Sequence, residues 1–592
     1  MKASSLAALK TNKPLCHTEF IHKHEANWSM SDKSHPLMVQ VFASYRQGKL
    51  PEAVALCQQI LQDQPKNFEA LFNLGMLLSH QGLHSQAVHS LLSAIEVNGQ
   101  SAQAFSALAL NMCKLDQFQA AVECFSKAIQ LQPGTAAFLG DRGNAYKALK
   151  QLPAALADYN AALALQPDAL MLLNNRGVLH LQMGQATEAL HDHDRAIALY
   201  PESAQAHCFR GNALKQMMRL SEAVESYQAA LRLNANYDLA HTNLGLALKD
   251  QHRLDLALHH FDRAIALNPA LTYAHWNKAT TCLLAGDYTQ GWALFEWRFK
   301  LQTVPKRQTP ADSAPLWLGQ EPLEGRSILV VHEQGLGDTI QFCRYLPLLA
   351  ERGAKVLVKV PAPLLGILAE VDGVAESMPL NATHPLTDFQ IPMMSLPLAF
   401  KTNLETIPLT AGYLRANATK SQHWQQLLGP RQQTRVGLVW AGGLRSEDKE
   451  VLAVNLRRNI PLSLLEPLGE LPFEFYSLQK GLEAEAELAD TISQGWHGPH
   501  IIDHTQALED FSDTAALIDQ LDLVISVDTS TAHLAAAMGK PVWLLNRSDT
   551  CWRWMLERTD SPWYETVEQF RQGQPGDWSG VVNQVVERLR HL

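Results

Sequence analysis

An α solenoid of paired helices, followed by two doubly wound α/β domains, is the fold class that this 592-residue sequence predicts. Three observations predict it. Alanine stands at 53, 87, 121, 155, 189, 223 and 257, and again at 94, 128, 162, 196, 230 and 264. A third column in the same phase of 34 holds Gly75, Ala109, Gly143, Gly177, Gly211, Gly245 and Ala279. Small residues in phase mean helices that cross closely, where a larger side chain would clash. From about residue 326 the helical period gives way to short apolar runs alternating with helical stretches, the mark of a parallel sheet.

A period of 34 built from helix pairs is the tetratricopeptide (TPR) signature. Repeats fall near 34–67, 68–101, 102–135, 136–169, 170–203, 204–237 and 238–271, and an eighth from 272 becomes atypical at Gly291. Pro65, Pro133, Pro167, Pro201 and Pro269 share the column that ends the second helix of a repeat. Trp292, Phe295, Trp297 and Phe299 crowd the end of the array, where they are expected to dock it on the next domain. A TPR superhelix has a long concave face suited to holding another chain, so a protein partner is expected there.

The chain divides by this reading into a mobile leader (1–33), a TPR superhelix (34–300), a proline-rich linker (301–325), a first Rossmann-like domain (326–420) and a second (421–592). Strands are expected at Ser327 to His332, Lys355 to Val360, Arg435 to Trp440, Phe473 to Leu478, Ile501–Ile502, Leu523 to Val527 and Val542 to Leu545. Helices are expected at Asp338 to Glu351 and Trp578 to Leu592. Two such domains in succession leave a cleft between the carboxyl ends of their strands, where ligands bind.

The formal net charge is −10, with acids and bases interspersed, which argues against a nucleic-acid partner. Cys16, Cys57, Cys113, Cys124, Cys208, Cys282, Cys343 and Cys551 show no metal or redox spacing and read as small apolar residues in a reducing compartment. No stretch is apolar and long enough to span a bilayer. Lys2, Lys10 and Lys13 precede no continuous apolar region, so no secretion signal is read and a soluble, cytoplasmic protein is expected.

Two places can carry chemistry. The turn Glu333-Gln334-Gly335-Leu336-Gly337-Asp338-Thr339 follows a strand and opens a helix. Gly335 and Gly337 let the backbone approach a ligand, and Asp338 reads either as a helix cap or as a general base on a cleft rim. The loop Asp528-Thr529-Ser530-Thr531-Ala532-His533 lies between a very apolar strand and a small-residue helix. Its hydroxyls and free N–H groups can hold a phosphate, and Asp528 or His533 can hold sugar or ribose hydroxyls. A protonated His533 would neutralise a leaving phosphate. An ordinary capped helix is the plain alternative. Around these lie Trp440 in a glycine turn, Arg458, Gln479 and Lys480, the two cations being candidates to stabilise a diphosphate. Trp552, Arg553, Trp554, Trp563 and Tyr564 read either as base-stacking groups or as core. Asp192-His193-Asp194 is rejected as a metal site, because neighbours two apart on a helix face different sides. No Asp-x-Asp ends a strand in the C-terminal half, so nothing in the sequence demands a metal.

Gly335-x-Gly337-Asp338, with Asp528-Thr529-x-x-x-His533-Leu534-x-x-Ala537 and Gly539-x-Pro541, resembles the GT-B glycosyltransferases of the ADP-heptose:lipopolysaccharide heptosyltransferase type. The likeness runs from about Pro315 to the C-terminus. It implies inverting, metal-independent transfer from a nucleotide sugar, with Asp338 as base and Asp528, Thr529 and His533 on the donor loop. The donor set expected is therefore Gly335, Gly337, Trp440, Arg458, Gln479, Lys480, Asp528, Thr529, Ser530, Thr531 and His533. The whole chain is similar to bacterial TPR-fused glycosyltransferases, some of which modify flagellin on Ser or Thr, and its layout resembles O-GlcNAc transferase. That enzyme's asparagine ladder is partly matched by a column of Asn73, Ala107, Asp141, Asn175, Phe209, Asn243 and Asn277, whose asparagines are the expected acceptor contacts. Two departures, a long Gly443–Arg457 stretch and Cys551 where relatives often carry Asp, leave the donor open. The resemblance implies protein O-glycosylation. Glycan-directed transfer and a non-catalytic scaffold stand as alternatives.

Overall fold

The computed structural model describes residues 35–301, 314–408, 412–443 and 456–592. The expected leader, residues 302–313 of the linker and residues 444–455 of the long loop lie outside the described residues. The chain forms two compact units, one ending at Leu244 and the other running from Gly245 to Leu592.

The first unit is a stack of helix pairs from Met38–Arg46 to Leu220–Leu233. Both alanine columns are fully buried throughout it, from Ala53 and Ala94 to Ala223 and Ala230. The glycine column explains itself by what lies opposite. A side chain at Gly143 would meet the Tyr159 ring at 2.9 Å, at Gly177 the His193 ring at 2.5 Å, and at Gly211 the Tyr227 ring at 2.5 Å. These three repeats each seat one large ring over one bare backbone, and Gly75 faces Leu91 in the same way, which is what brings the helices together. Pro65, Pro133, Pro167 and Pro201 sit in the turns that follow the second helices, as expected. One residue per repeat takes the left-handed conformation between the two helices, and it need not be glycine: Asp116, Lys150 and Met218 hold it alongside Gly48, Gly82 and Gly184.

A second periodic device runs along the same helices. Arg142 and Arg176, one repeat apart, each grip a buried aspartate with two bonds, Asp158 at 2.8 and 2.7 Å and Asp192 at 2.8 and 2.6 Å. Their third nitrogens reach back to the preceding repeat, to Ser126 and Asn160. Arg210 repeats the theme with Asp194 and Ser226. Asp192 and Asp194 thus serve two different arginines, and His193 between them is fully buried, so the three do not converge. Among the described residues no cluster could hold a metal ion.

His193 occupies the ring column that carries Phe125, Tyr159 and Tyr227 elsewhere. Burial pulls its pKa down from 6.5 to about 4. Between those two values the unfolded chain binds more protons than the folded one, so stability is complete above about pH 6.5 and falls as pH drops toward 4. The difference corresponds to up to about 3 kcal/mol. His193→Phe is expected to flatten this acid limb when unfolding free energies are compared at pH 7 and 4.5. An equal loss in both proteins contradicts the assignment.

The second unit begins with the last repeats and continues into two parallel sheets. β1 (Ser327–Val331), β2 (Lys355–Val360), β3 (Val374–Pro379) and β4 (Phe389–Pro392) form a sheet in the order β3-β2-β1-β4. β5 (Thr434–Val439), β6 (Phe473–Ser477), β7 (Ile501–Ile502), β8 (Leu523–Val527), β9 (Val542–Asn546) and β10 (Val567–Arg571) form the other, in the order β10-β9-β8-β5-β6-β7. The second order is that of a complete Rossmann domain, with the chain reversing direction across the sheet between β5 and β8. The expected helix Asp338 to Glu351 is broken into Leu336–Phe342, a tight turn and Leu346–Glu351, with Pro347 in the first turn of the second piece.

The aromatic end of the repeats docks as expected. Trp292 is 2 % exposed and meets Phe342 of the first lobe, built on β1–β4, and Trp552 and Trp563 of the second, built on β5–β10, with ring centres 6.0, 5.2 and 6.3 Å away. The Trp563 indole N–H donates to the Tyr288 hydroxyl at 3.0 Å. Arg298, fully buried, pairs with Glu333 in the glycine turn at 2.9 Å and donates to Ser395. His252, in the left-handed position of its repeat, bonds the Ser548 carbonyl oxygen at 3.0 Å. The last repeats, those within this unit, therefore brace both lobes.

Candidate active site

The two places singled out in the sequence face each other. Gly337 opens the helix Leu336–Phe342 so close to the second lobe that a side chain there would meet His533 at 2.8 Å and the Ser530 backbone at 3.4 Å. Only a bare backbone allows this approach. Asp338, next in sequence, takes the Gly335 N–H on Oδ2 at 2.8 Å, so it closes the first turn from the third helical position while Gly335 itself holds the cap position. Its other oxygen, Oδ1, is paired with the Arg553 guanidinium of the second lobe. Asp338 remains partly exposed beside an exposed Gly335.

Opposite, the apolar strand β8 ends at Asp528 on the side of the sheet where β5 and β8 diverge, the place where Rossmann domains bind ligands. Thr529 caps the helix Ser530–Ala537, its hydroxyl accepting from the Ala532 N–H at 3.4 Å and contacting Ser526 at 3.0 Å. Asp528, Thr529, Ser530 and Thr531 are all partly exposed. Arg458 spans the divergence. Its guanidinium lies over Gly442, where a side chain would collide with it at 2.3 Å, and donates to the Asp528 carbonyl at 3.2 Å. Its Nε is buried without a partner among the described residues. Burial pulls the Arg458 pKa below its ordinary value, against the pull of Asp528. Burial pushes the Asp528 carboxyl up, but His533, Arg458 and Arg553 around it bring it below its ordinary value. A partly exposed cation, the hydroxyls of Thr529, Ser530 and Thr531 and a helix start thus lie together. That set can hold a phosphate.

Four groups of expected site residues are placed differently. His533 is 5 % exposed, stacked on Trp554 and bonded through Nδ1 to the Tyr564 hydroxyl at 2.8 Å. Burial lowers its pKa to about 4, so without a ligand it is uncharged at neutral pH. Its work is to seat the helix against Gly337. Trp440 is 1 % exposed, its indole donating to Glu487 at 3.1 Å, so its side chain belongs to the core of the second lobe. Gln479 is 3 % exposed, and its amide accepts from the Trp440 and Ala441 N–H groups and donates back to the Ala441 carbonyl. It braces the β5 turn and has no face left for a donor. Asn73, Asn243 and Asn277 are also buried. Asn73 reaches Met38, and Asn243 reaches Asn212. Only Asn175 of the four is partly exposed, because this column turns toward the neighbouring helix. Lys480, by contrast, is exposed at the end of β6, its ammonium donating to the Thr505 carbonyl at 2.6 Å.

The aromatic group resolves as core: Trp552, Trp554, Trp563 and Tyr564 are all at most 3 % exposed. What the sequence reading missed is the role of Arg553, named there only as one of this group: it pairs with Asp338. Nothing in the local pattern marks that role, since the partner lies 215 residues away.

Comparison with known proteins agrees with this architecture. Residues 479–571 match the family model for glycosyltransferase family 9 (heptosyltransferase), a span that holds Asp528–His533 and Arg553. Residues 44–110, 143–184, 169–200, 219–252 and 239–271 match TPR families. The chain is 28 % identical over 340 residues to Protein FlbA of Caulobacter vibrioides, which is 53 % of this chain and 54 % of that one. It therefore spans about half the length of that curated relative. A tetratricopeptide repeat protein from Parabacteroides merdae is 17 % identical, with 41 % of this chain and 97 % of that one covered and a TM-score of 0.37. The APC/C heterotetramer Cut9–Hcn1 is 17 % identical, with 41 % and 48 % covered and a TM-score of 0.35. The chain thus carries TPR repeats and a glycosyltransferase family 9 region. No helix among the described residues is long and apolar enough to cross a membrane.

Proposed function

We propose that this chain moves a sugar from a nucleotide sugar to a Ser or Thr hydroxyl of a protein held by its TPR repeats. The observation that carries the reading is the direct apposition of the Asp338 turn and the Asp528–His533 loop at Gly337. In the reaction, the acceptor oxygen attacks the anomeric carbon and gives its proton to Asp338. The bond from that carbon to the phosphate oxygen breaks, and its electron pair leaves on the phosphate. Attack from the face opposite the leaving group inverts the anomeric centre. Arg458, Lys480 and the N–H groups at Ser530 and Thr531 receive the departing charge, with no metal in the scheme. The TPR repeats support a protein acceptor, because a solenoid of this kind is built to hold a chain. Flagellin is one acceptor of this class, and the cytoplasm is the compartment in which such a donor would be met.

Intact-mass comparison of cellular proteins with and without this chain tests the acceptor. A protein that loses a sugar-sized mass in its absence supports the reading. An unchanged protein set, with an altered surface glycan, favours transfer to a glycan instead.

A further inference from the structure

We infer that Arg553 is a positioning residue of the transfer step, which sets the orientation of the Asp338 carboxylate from the opposite lobe. The inference rests on Asp338 being the base. Arg553 is 6 % exposed, and each of its nitrogens is used. Nη2 pairs with Asp338 Oδ1. Nε donates to Gln341 Oε1 at 2.6 Å, and Gln341 is fully buried one turn beyond Asp338 on the same helix. Nη1 points to Cys551 Sγ at 3.7 Å, and the guanidinium lies over the Trp552 ring at 4.2 Å. Burial pushes the Cys551 thiol up, so it stays neutral and Asp338 is the carboxylate in contact with Arg553.

The consequence for chemistry follows from counting lone pairs. A carboxylate offers about four acceptor sites, two per oxygen. The Gly335 N–H takes one on Oδ2 and Arg553 takes one on Oδ1, so the plane of the group is fixed at both ends while each oxygen keeps a site for an acceptor hydroxyl. A base held this way needs no reorientation when the acceptor arrives. Because Arg553 and Asp338 belong to different lobes, the base is correctly aimed only when the lobes are together.

The test compares Arg553→Gln, Arg553→Lys and Asp338→Asn in the full chain, with the nucleotide sugar that the wild type uses. Arg553→Gln is expected to lower kcat roughly 10²-fold with the donor KM within about twofold, the size of effect that misplacement of a reacting group produces. Arg553→Lys keeps a cation in the slot and is expected to recover about tenfold of that loss. In an Asp338→Asn background, Arg553→Gln is expected to add nothing. An unchanged kcat in Arg553→Gln overturns the role. So does a raised donor KM with kcat intact, and so do equal losses in both Arg553 variants that add in full to the Asp338→Asn loss. Wild-type rates in Asp338→Asn refute the base itself, an outcome distinct from failure at Arg553.

Discussion

Asp338→Asn is expected to lower transfer by roughly 10²- to 10⁴-fold, the usual worth of a general base, while nucleotide-sugar affinity stays within about twofold. The asparagine is nearly isosteric, and its side-chain oxygen can still take the Gly335 N–H that Asp338 takes at 2.8 Å. What it cannot do is accept a proton, and with its oxygen on Gly335 its amide nitrogen cannot accept from Arg553 either. The Asp528–Thr531 crevice and Arg458 are untouched by the change, so a donor should still bind. Single-turnover transfer and calorimetry with the same nucleotide sugar separate the two quantities. Unaltered transfer removes Asp338 from the mechanism. Loss of both transfer and donor binding makes it a structural residue of the lobe contact.

Trp292→Ala carries the largest expected effect on stability. The indole comes from the last repeat and is 2 % exposed. It meets Phe342, Trp552 and Trp563 edge-on, at interplanar angles of 83°, 89° and 86°, and packs on Tyr288 and Phe295 of its own segment. Removing it leaves a cavity at the meeting point of the repeats and both lobes, at a cost of about 3–5 kcal/mol. Phe342 lies on the helix that carries Asp338. Transfer should therefore fall even in the fraction that remains folded. Urea unfolding followed by circular dichroism measures the first effect, and rates at a temperature well below the transition measure the second. A loss under about 1 kcal/mol would mean that the junction does not brace the unit.

Much of this fold is legible from residue identities because it is periodic. The alanine and glycine columns mark where helices touch: the alanines are buried and the glycines lie against a large side chain. The strands that carry strong apolar runs, such as Leu523–Val527, are legible for the same reason. β3, β4 and β10 are not. Val374–Pro379 is half exposed with one buried residue and ends in proline, Phe389–Pro392 is four residues long, and Val567–Arg571 includes a buried Gln569 that bonds Asn546 instead of packing as an apolar residue. None offers the alternation by which strands are read.

The site divides in the same way. Asp338 and the Asp528–Thr531 loop are legible because a glycine turn or a hydroxyl cluster at a strand's end has a local physical meaning. Trp440 and Gln479 sit at the same kind of place, yet their side chains turn into the lobe. Position along a strand says where a residue is and leaves open which way it points. The asparagine column shows this again, since burial of Asn243 and Asn277 is decided by how the helix is rotated. The role of Arg553 was not legible, although the residue stood out in its aromatic group, because its partner Asp338 lies in the other lobe.

Hydrogen–deuterium exchange with and without a nucleotide sugar that raises the melting temperature tests the shared cleft most directly. Slowed exchange is predicted in two separated segments at once, the turn around Gly335–Asp338 and the helix start at Thr529–His533. Protection confined to one of them, or found only elsewhere in the chain, would contradict a donor site shared by the two lobes.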